Sequence, residues 1–255
     1  PLLVGGQDCH PAASGANNIQ NTALQAALAA NNVVISTQSV GADAGWISVE
    51  ADVNWNSAFS LTLLAEDSIY IARDVRNAGA GNVNLLAGWD SANFSFTDIG
   101  GSGTASTTPF GALAAGNVDM ATAFGSPAAF GNNNGSIFIG RNQAGAQGNG
   151  VEVGSRLGET NAIGYGMTLI GNDATADGFA QLGVRPVAGA TTATGDIRVN
   201  LKAGGLTLES GNASGSYTQI GHGGLGSAAT AIDSDITIEF LELGDVSIQG
   251  GPATN

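Results

Sequence analysis

The sequence predicts an all-β fold, a right-handed parallel β-helix (β-solenoid) with one short N-terminal helix. Residues 46–90 match themselves when shifted by 22 positions, so that Ile47 aligns with Ile69 and Leu63 aligns with Leu85. Seven aligned positions keep this register, and five of them pair aliphatic residues. Apolar residues alternate within each copy, which is typical of a strand with one buried face. A strand pattern that recurs about every 20 residues indicates coils stacked on one another.

The composition excludes several classes of protein. The charged fraction of 11% is too low for a disordered chain, and the 40 glycines lack the three-residue period of collagen. Frequent glycine suits a fold that turns several times in each coil. The net charge of −14, with only seven Lys and Arg residues, argues against binding to nucleic acid or to an anionic membrane surface.

We expect residues 1–255 to form a single solenoid domain with four parts. Residues 1–32 form an irregular lead-in that contains a helix at 21–30. Regular 22-residue coils follow at 33–97, an insertion or irregular coils at 98–135, and further coils at 136–251. A constant coil of 22 residues gives about 11 coils and a length of about 50 Å.

The segment 98–135 breaks the strand pattern and is rich in Gly, Ala, Ser and Thr. Two interpretations fit it. The segment is either a lateral excursion that carries a binding surface, as long loops of repeat proteins often do, or a structural insertion with its phenylalanines packed on the solenoid. Those phenylalanines are Phe110, Phe124 and Phe130.

The two ends of the predicted solenoid differ. Leu24 and Leu28 share one face of the predicted helix, which can therefore cap the N-terminal end of the stack. Residues 234–251 read as strands, with no polar helix to close the other end. Open strand edges recruit other strands. We therefore expect end-to-end self-association, or contact with the next segment of a longer chain, and the start at Pro1 without Met fits a processed or excised product.

Two stretches resemble the large secreted filamentous haemagglutinin-like proteins of bacteria. They are GDIRVNLKAGGLTLESGNASGSYTQIGHGG at 195–224 and TALQAALAANNVVIST at 22–37 followed by the repeat at 46–88. A short helix that leads into a strand, followed by I-x-V and L-x-L-x-A repeats, is typical of that family. The resemblance covers most of residues 19–250, except the segment at 98–135.

The resemblance implies a shaft segment of a two-partner-secretion adhesin, located outside a bacterium or on its surface. Family members are long right-handed parallel β-helices, exported by an outer-membrane partner, that act in adhesion, biofilm formation or contact-dependent toxicity. The family's N-terminal secretion domain, with its NPNG-type motif, has no counterpart here, and no functional residue carries over. We therefore expect a structural extracellular fibre or adhesin segment that forms filaments or a biofilm matrix, and not an enzyme.

A few residues with ionisable side chains offer alternatives to that expectation. Asp52 and Asp74 stack on each other in the 22-residue register, and their repulsion must be relieved by solvent, by Arg73 or Arg76, or by Ca²⁺. Catalytic sites of carbohydrate-active β-helix enzymes need more convergent carboxylates than this pair supplies. No cofactor other than Ca²⁺ is implied.

The two histidines and the single cysteine add little evidence of a metal or catalytic site. Cys9 and His10 are neighbours but lack the further ligands that a zinc site needs, and His222 reads as a structural residue at a corner. No apolar run is long enough to span a membrane as a helix.

The three tryptophans support a different alternative, a sugar-binding module. Trp46 and Trp89 are expected to cover the solenoid or a subunit contact, which leaves Trp55 as the tryptophan predicted to be exposed as a surface contact.

Overall fold

The computed structural model describes residues 2–5, 17–37, 45–105, 113–186, 192–224, 227 and 231–251. The first strands and helix of the chain are β1 (Leu2–Gly5), β2 (Asn17–Gln20), α1 (Asn21–Leu28), β3 (Val33–Thr37), β4 (Ile47–Val49), β5 (Val53–Trp55), β6 (Leu61–Ala65), β7 (Ile69–Ile71), β8 (Val75–Asn77) and β9 (Val83–Ala87). The middle of the chain contains β10 (Gly101–Ala105), β11 (Leu113–Val118), α2 (Met120–Gly125), β12 (Ile137–Ile139), β13 (Val151–Ser155), β14 (Thr160–Gly164), β15 (Met167–Ile170) and β16 (Ala180–Leu182). The last strands are β17 (Thr192–Ala193), β18 (Ile197–Leu201), β19 (Leu206–Glu209), β20 (Thr218–Ile220), β21 (Ala231–Ile232), β22 (Ile236–Phe240) and β23 (Val246–Gln249).

The strands form a parallel β-solenoid with three principal sheets. Sheet A has the order β2-β1-β4-β7-β12-β15-β19-β23, sheet B the order β10-β11-β3-β6-β9-β14-β18-β22, and sheet C the order β20-β16-β13-β8-β5. The chain visits sheets A, C and B in turn, as β4, β5 and β6 and then β7, β8 and β9 do. Each coil therefore adds one parallel strand to each sheet, which confirms the predicted fold class.

The predicted 22-residue register is confirmed between β4–β6 and β7–β9. Ile47 pairs with Ile69, Val53 with Val75, and Leu63 with Leu85. Both Leu63 and Leu85 are fully buried in the central core. The alternation seen in the sequence therefore identified both the inward face and the partner residues.

The predicted number of coils is wrong because the 22-residue spacing is not maintained. The parallel strands β3, β6, β9, β14, β18 and β22 of sheet B give six coils in the described part of the chain, about 25 Å of stacked strands. Later coils are longer, so that Asp196 and Asp235, in neighbouring coils, are 39 positions apart. The corners have lengthened by surface turns, which a solenoid accepts without changing its core.

The N-terminal end of the core is closed by α1. Leu24 and Leu28 are buried in the same cluster as the inward residues of the first coils. The helix is also bonded to the corner beneath it, because the Ser57 hydroxyl donates to the carbonyl of Leu28 and the Asn21 amide donates to the carbonyl of Asp52. The predicted capping role of the helix is confirmed, although the helix ends at Leu28 rather than at residue 30.

The excursion begins at Gly88 and returns at β12, and so starts ten residues earlier than predicted. Gly88 has a φ of 70°, and a Cβ there would lie 2.7 Å from the backbone of Gly131. Only glycine fits this close crossing of the outgoing and returning chain. The excursion also contains α2, a second helix that the sequence analysis missed, with Asp119 accepting a hydrogen bond from the Ala121 amide as its N-cap.

The excursion covers the outer face of sheet B. Outward-facing Val34, Leu64, Leu86 and Ile163 form a second apolar cluster with buried residues of the excursion: Trp89, Ile99, Val118, Met120, Ala123, Ala129 and Phe130. Strand β11 also pairs antiparallel with β3, at the N-terminal edge of the sheet. Phe124 and Phe130 pack on this cluster, as the structural interpretation of the segment predicts, and Phe110 lies outside the described residues.

Candidate functional site

Inward-facing apolar residues of successive coils lie over one another, and we call each such stack a core column. The last described coil continues these core columns. Ile236 and Ile238 of β22 lie over Ile197 and Val199 of β18, and Val246 of β23 lies over Leu206 of β19. The inward side of this coil therefore carries the same kind of side chain as the coil below it. We call the surface formed by residues 231–249 the open end.

The columns are buried in one coil and exposed in the next. Ile197 is 0% exposed, whereas Ile236 above it is 48% exposed. The same change occurs between Leu206 at 3% and Val246 at 55%. Within the part of the chain that the structure describes, nothing lies on the far side of β22 and β23, so these strands also present unpaired backbone groups. Among the described residues, β22 and β23 are the terminal strands of sheets B and A on this side.

Loop residues enlarge the apolar area of the open end. Leu243 is fully exposed, and Leu241 is also exposed. Ile232, Ile236, Ile238, Val246 and Ile248 are exposed as well, so that seven large apolar residues are exposed within residues 232–248. Exposed apolar residues concentrated in one part of a protein mark interaction sites.

Acidic side chains surround the apolar centre of the open end. Those of Asp233, Asp235, Glu239, Glu242 and Asp245 are all exposed. No Lys or Arg follows Lys202 in the sequence. None of the ion pairs among the described residues involves the open end. The rim therefore has negative charge that no ion pair among the described residues balances.

Asp52 and Asp74 stack as predicted, on the outer side of sheet C. The Asp74 amide donates to Oδ1 of Asp52 over 3.3 Å. Of the two arginines proposed to relieve the repulsion, Arg76 lies 3.8 Å from the Asp74 carboxylate, while Arg73 is exposed. The Asp74 carboxylate also accepts a hydrogen bond of 2.9 Å from the Glu152 amide, so that backbone and arginine contacts occupy it.

Glu152 is the charged residue that the sequence analysis missed. It is 1% exposed, on β13, and forms ion pairs with Arg76 and Arg185 from two other coils. Arg185 in turn lies 3.9 Å above the ring of Phe179. A Glu in the middle of the apolar strand sequence VEVGS was the available signal, because a buried carboxylate needs a cationic partner.

Burial shifts the acidity of Asp74. It raises the pKa of this carboxyl from 3.8 to about 6, and the charges of Glu152 and Asp52 act in the same direction. Hydrogen bonding by the Glu152 amide and the charge of Arg76 oppose the shift. The group of three carboxylates and two arginines is therefore a network that links coils, with one carboxyl that titrates near neutral pH.

The prediction that Trp55 is exposed is wrong. Trp55 lies at an inward position of β5, is 7% exposed and belongs to the central core, and its indole N–H donates to the carbonyl of Phe59. Position 55 shares the inward face with Val53, which places the indole beneath α1. Trp89 covers the solenoid as predicted, and Trp46 is half-buried.

His222 is buried at a corner, as predicted. Its Nδ1 accepts a hydrogen bond from the Val184 amide, and its Nε2 lies 2.7 Å from the carbonyl oxygen of Gly195. Burial lowers the pKa of this imidazole below 6.5. Both ring nitrogens of His222 therefore form hydrogen bonds with backbone groups of neighbouring coils. Cys9 and His10 lie outside the described residues.

The described residues contain no cluster of three or more His, Cys, Asp or Glu side chains that could hold a metal ion. Among the helices that the structure describes, none has the length and apolar character needed to cross a membrane. Comparisons of the chain with family models, with curated proteins and with solved structures give no match. The open end and the network on sheet C are therefore interpreted from their geometry.

Proposed function

We propose that the protein is a structural segment of a bacterial extracellular fibre or adhesin, continued by a further β coil at its open end. The open end carries this proposal, because no described residue covers its exposed apolar side chains, while Leu24 and Leu28 of α1 close the N-terminal end. A solenoid with one closed and one open end has the polarity of a shaft that extends in one direction. The sequence resemblance to filamentous adhesins supports the same function.

The proposal is tested by hydrogen exchange in the isolated chain and in native surface material. In the isolated chain the outward-edge amides of β22 and β23 should exchange rapidly, since they lack a neighbouring strand. In native material the same amides should be protected, and electron microscopy should show elongated particles. Native particles that are single compact monomers with rapidly exchanging β22 and β23 would contradict the proposal.

An enzyme acting on carbohydrate is the second candidate, and the network on sheet C is the observation that favours it. It brings carboxylates and arginines together, and Asp74 has a pKa near that of a general acid. However, Glu152 is buried and held by Arg76 and Arg185, and Asp74 is partly buried, which leaves Asp52 as the exposed carboxylate of the network. We propose a structural role for the network, in which Asp52 and Asp74 are not ligands of Ca²⁺.

Assays on soluble polysaccharides separate the two candidates. We expect no hydrolase or lyase turnover on pectin, alginate or host glycans, and no Ca²⁺-dependent change in thermal unfolding. Turnover that disappears in an Asp52→Asn and Asp74→Asn double variant would favour the enzyme. A sugar-binding module is less favoured, because Trp55, its predicted contact residue, is buried in the core.

A further inference from the structure

We propose that the open end receives a β coil that carries Lys or Arg at its outward positions and does not belong to a second copy of this chain. The inference rests on the proposed function, since it names the partner of the same surface. Its evidence is the distribution of charge around the open end and along the whole chain.

The strands of the open end show where a partner's side chains would lie. In a parallel stack, residues at the same position of successive coils are about 4.8 Å apart. A coil placed on β22 would therefore put apolar side chains over Ile236 and Ile238, and an outward side chain over Glu239. Acidic side chains at the outward positions of the added coil would repel those of the rim, and basic ones would be attracted.

A second copy cannot supply that attraction from either end of its own solenoid. The seven basic residues are Arg73, Arg76, Arg141, Arg156, Arg185, Arg198 and Lys202, all in the middle of the sequence. Stacking two open ends would place two acidic rims against each other. The other end of the solenoid is built from residues before Arg73 together with β10 and β11, and these include Glu50, Asp52, Glu66 and Asp67 but no Lys or Arg.

The shape of the N-terminal end also disfavours a second copy in a head-to-tail stack. The core there is closed by α1, whose Leu24 and Leu28 already occupy the inward positions. At sheet B, β11 runs antiparallel to β3 and separates the parallel strands from any neighbour. A copy approaching with this end would place α1 against the apolar side chains of the open end, while β2 and β10 form the edges of sheets A and B there.

Ion pairs between acidic and basic side chains already link successive coils within the solenoid, and we infer the same kind of ion pair between the open end and its partner. Glu152 on one coil is held by Arg76 from the coil below and Arg185 from the coil above. These pairs show that acidic and basic side chains on successive coils lie within contact distance in this fold. The acidic groups of the open end have no such partner among the described residues.

Three synthetic peptides test the inference on the intact chain. The basic peptide copies residues 233–250 with Asp233→Lys, Asp235→Lys, Glu239→Lys, Glu242→Lys and Asp245→Lys. The neutral peptide has Asn or Gln at these positions, and the third peptide has the unaltered sequence. Binding is measured by amide hydrogen exchange of the ¹⁵N-labelled protein and by titration, in about 0.01 M and about 1 M NaCl.

We expect the basic peptide to protect the amides of β22 and β23 and to bind at least about 10-fold more tightly than the neutral peptide at low salt. The difference should shrink at high salt, because the Debye length falls from about 30 Å to about 3 Å. In a Glu239→Lys and Glu242→Lys variant of the protein, the preference should shift toward the unaltered, acidic peptide. Both substituted residues are exposed, so the variant should keep its fold.

The other outcomes contradict the inference in distinguishable ways. Equal binding of the basic and neutral peptides would refute the charge requirement and leave the proposed function standing. A chain that dimerises through β22 and β23 as salt is added, seen by sedimentation, would identify a second copy as the partner. Failure of every peptide to protect β22 and β23, or protection of other strands only, would refute the docking surface and with it the proposed function.

Discussion

Ile238 lies directly over Val199 in the neighbouring coil, in the same inward column, yet Ile238 is 36% exposed and Val199 is 1% exposed. The two residues differ only in whether another coil lies above them. In a solenoid each coil is stabilised by the neighbours on both of its sides. The last described coil therefore leaves exposed the kind of side chain that the coil below it buries.

Substitution of these two residues should show that difference. Val199→Asp buries an unpaired carboxylate between coils and should lower the free energy of unfolding by about 3–5 kcal/mol. Ile238→Asp should cost about 1 kcal/mol or less in the isolated chain, because its side chain reaches water. Urea unfolding followed by circular dichroism measures both values. Equal losses would mean that the open end is covered in solution.

The register of the repeat is tested by Leu85→Asp. Leu85 is fully buried between Leu63 below and Ala162 above, so the carboxylate would have no solvent and no partner. We expect a loss of about 3–5 kcal/mol. The matched control is Leu157→Asp at an exposed corner, which should cost less than about 1 kcal/mol. A Leu85→Asp variant that melts within a few degrees of the wild type would show that the register is wrong.

The excursion should contribute to stability through Phe130. Its ring is 1% exposed and lies in the cluster that covers Leu64 and Leu86. Phe130→Ala should lower the free energy of unfolding by about 3–5 kcal/mol, since it leaves a cavity between the excursion and sheet B. Phe94→Ala, in a half-buried residue of the same cluster, should cost clearly less. A Phe130→Ala variant with an unchanged free energy of unfolding would favour the other interpretation, in which the excursion is a binding loop.

Asp74 should make the protein less stable as the pH rises through about 6. Its folded-state pKa is about 6 and its ordinary value is 3.8, so the folded protein retains a proton that the unfolded chain loses between these values. The stabilisation is present at low pH and is lost as pH rises. Asp74→Asn keeps an oxygen acceptor for the Glu152 amide and removes the charge. We expect the variant to be about 2 kcal/mol more stable at pH 8 and similar to the wild type at pH 4.

Asp98 supplies the control of opposite sign. Hydrogen bonds from the Ser95 hydroxyl and amide lower the pKa of this carboxyl. The ionised Asp98 carboxylate therefore stabilises the folded protein above its ordinary pKa, and this stabilisation is lost on acidification. Asp98→Asn should reduce stability near pH 7 and not at low pH. A destabilising Asp74→Asn at pH 8 would contradict the burial of an unfavourable charge at that site.

His222 should titrate below its ordinary pKa of 6.5, because burial disfavours the imidazolium. As the pH falls, the unfolded chain takes up the proton first, so the contribution of His222 is present above pH 6.5 and decreases below it. Two-dimensional NMR of the chain's two histidines measures the titration, with His222→Gln to assign the signals. A His222 pKa at or above 6.5 would show that its ring is not enclosed as the structure has it.

The inward columns were predictable from sequence because alternation with period two is a local property. The alternation is visible in strands after residue 135 such as β13, VEVGS. It is hidden in β14, TNAIG, because the inward positions of that strand hold Thr160, Ala162 and Gly164 while an apolar residue, Ile163, faces outward. Ile163 is covered by the excursion, so a contact with a distant segment reversed the usual pattern.

The candidate sites were only partly predictable for the same reason. The stacking of Asp52 on Asp74 followed from the repeat, and the lack of a cover at β22 and β23 followed from the absence of a capping sequence. The burial of Trp55 could not be predicted from the repeat, because it depends on α1. The helix closes the end of the coil and so encloses the indole. The partners of Glu152 lie in two other coils, separated from it by corners of variable length.

The sequence by itself determined that this chain is a stack of parallel coils, which residues face its core in the first repeats, and that a helix lies at its N-terminal end. Those properties depend on side-chain alternation and on composition, which are read residue by residue. Only the tertiary structure decided that β12 pairs with β7 across the excursion, that the excursion covers sheet B, and that Glu152 meets two arginines. These contacts join residues far apart in the chain, and their geometry depends on coil lengths that local patterns do not specify.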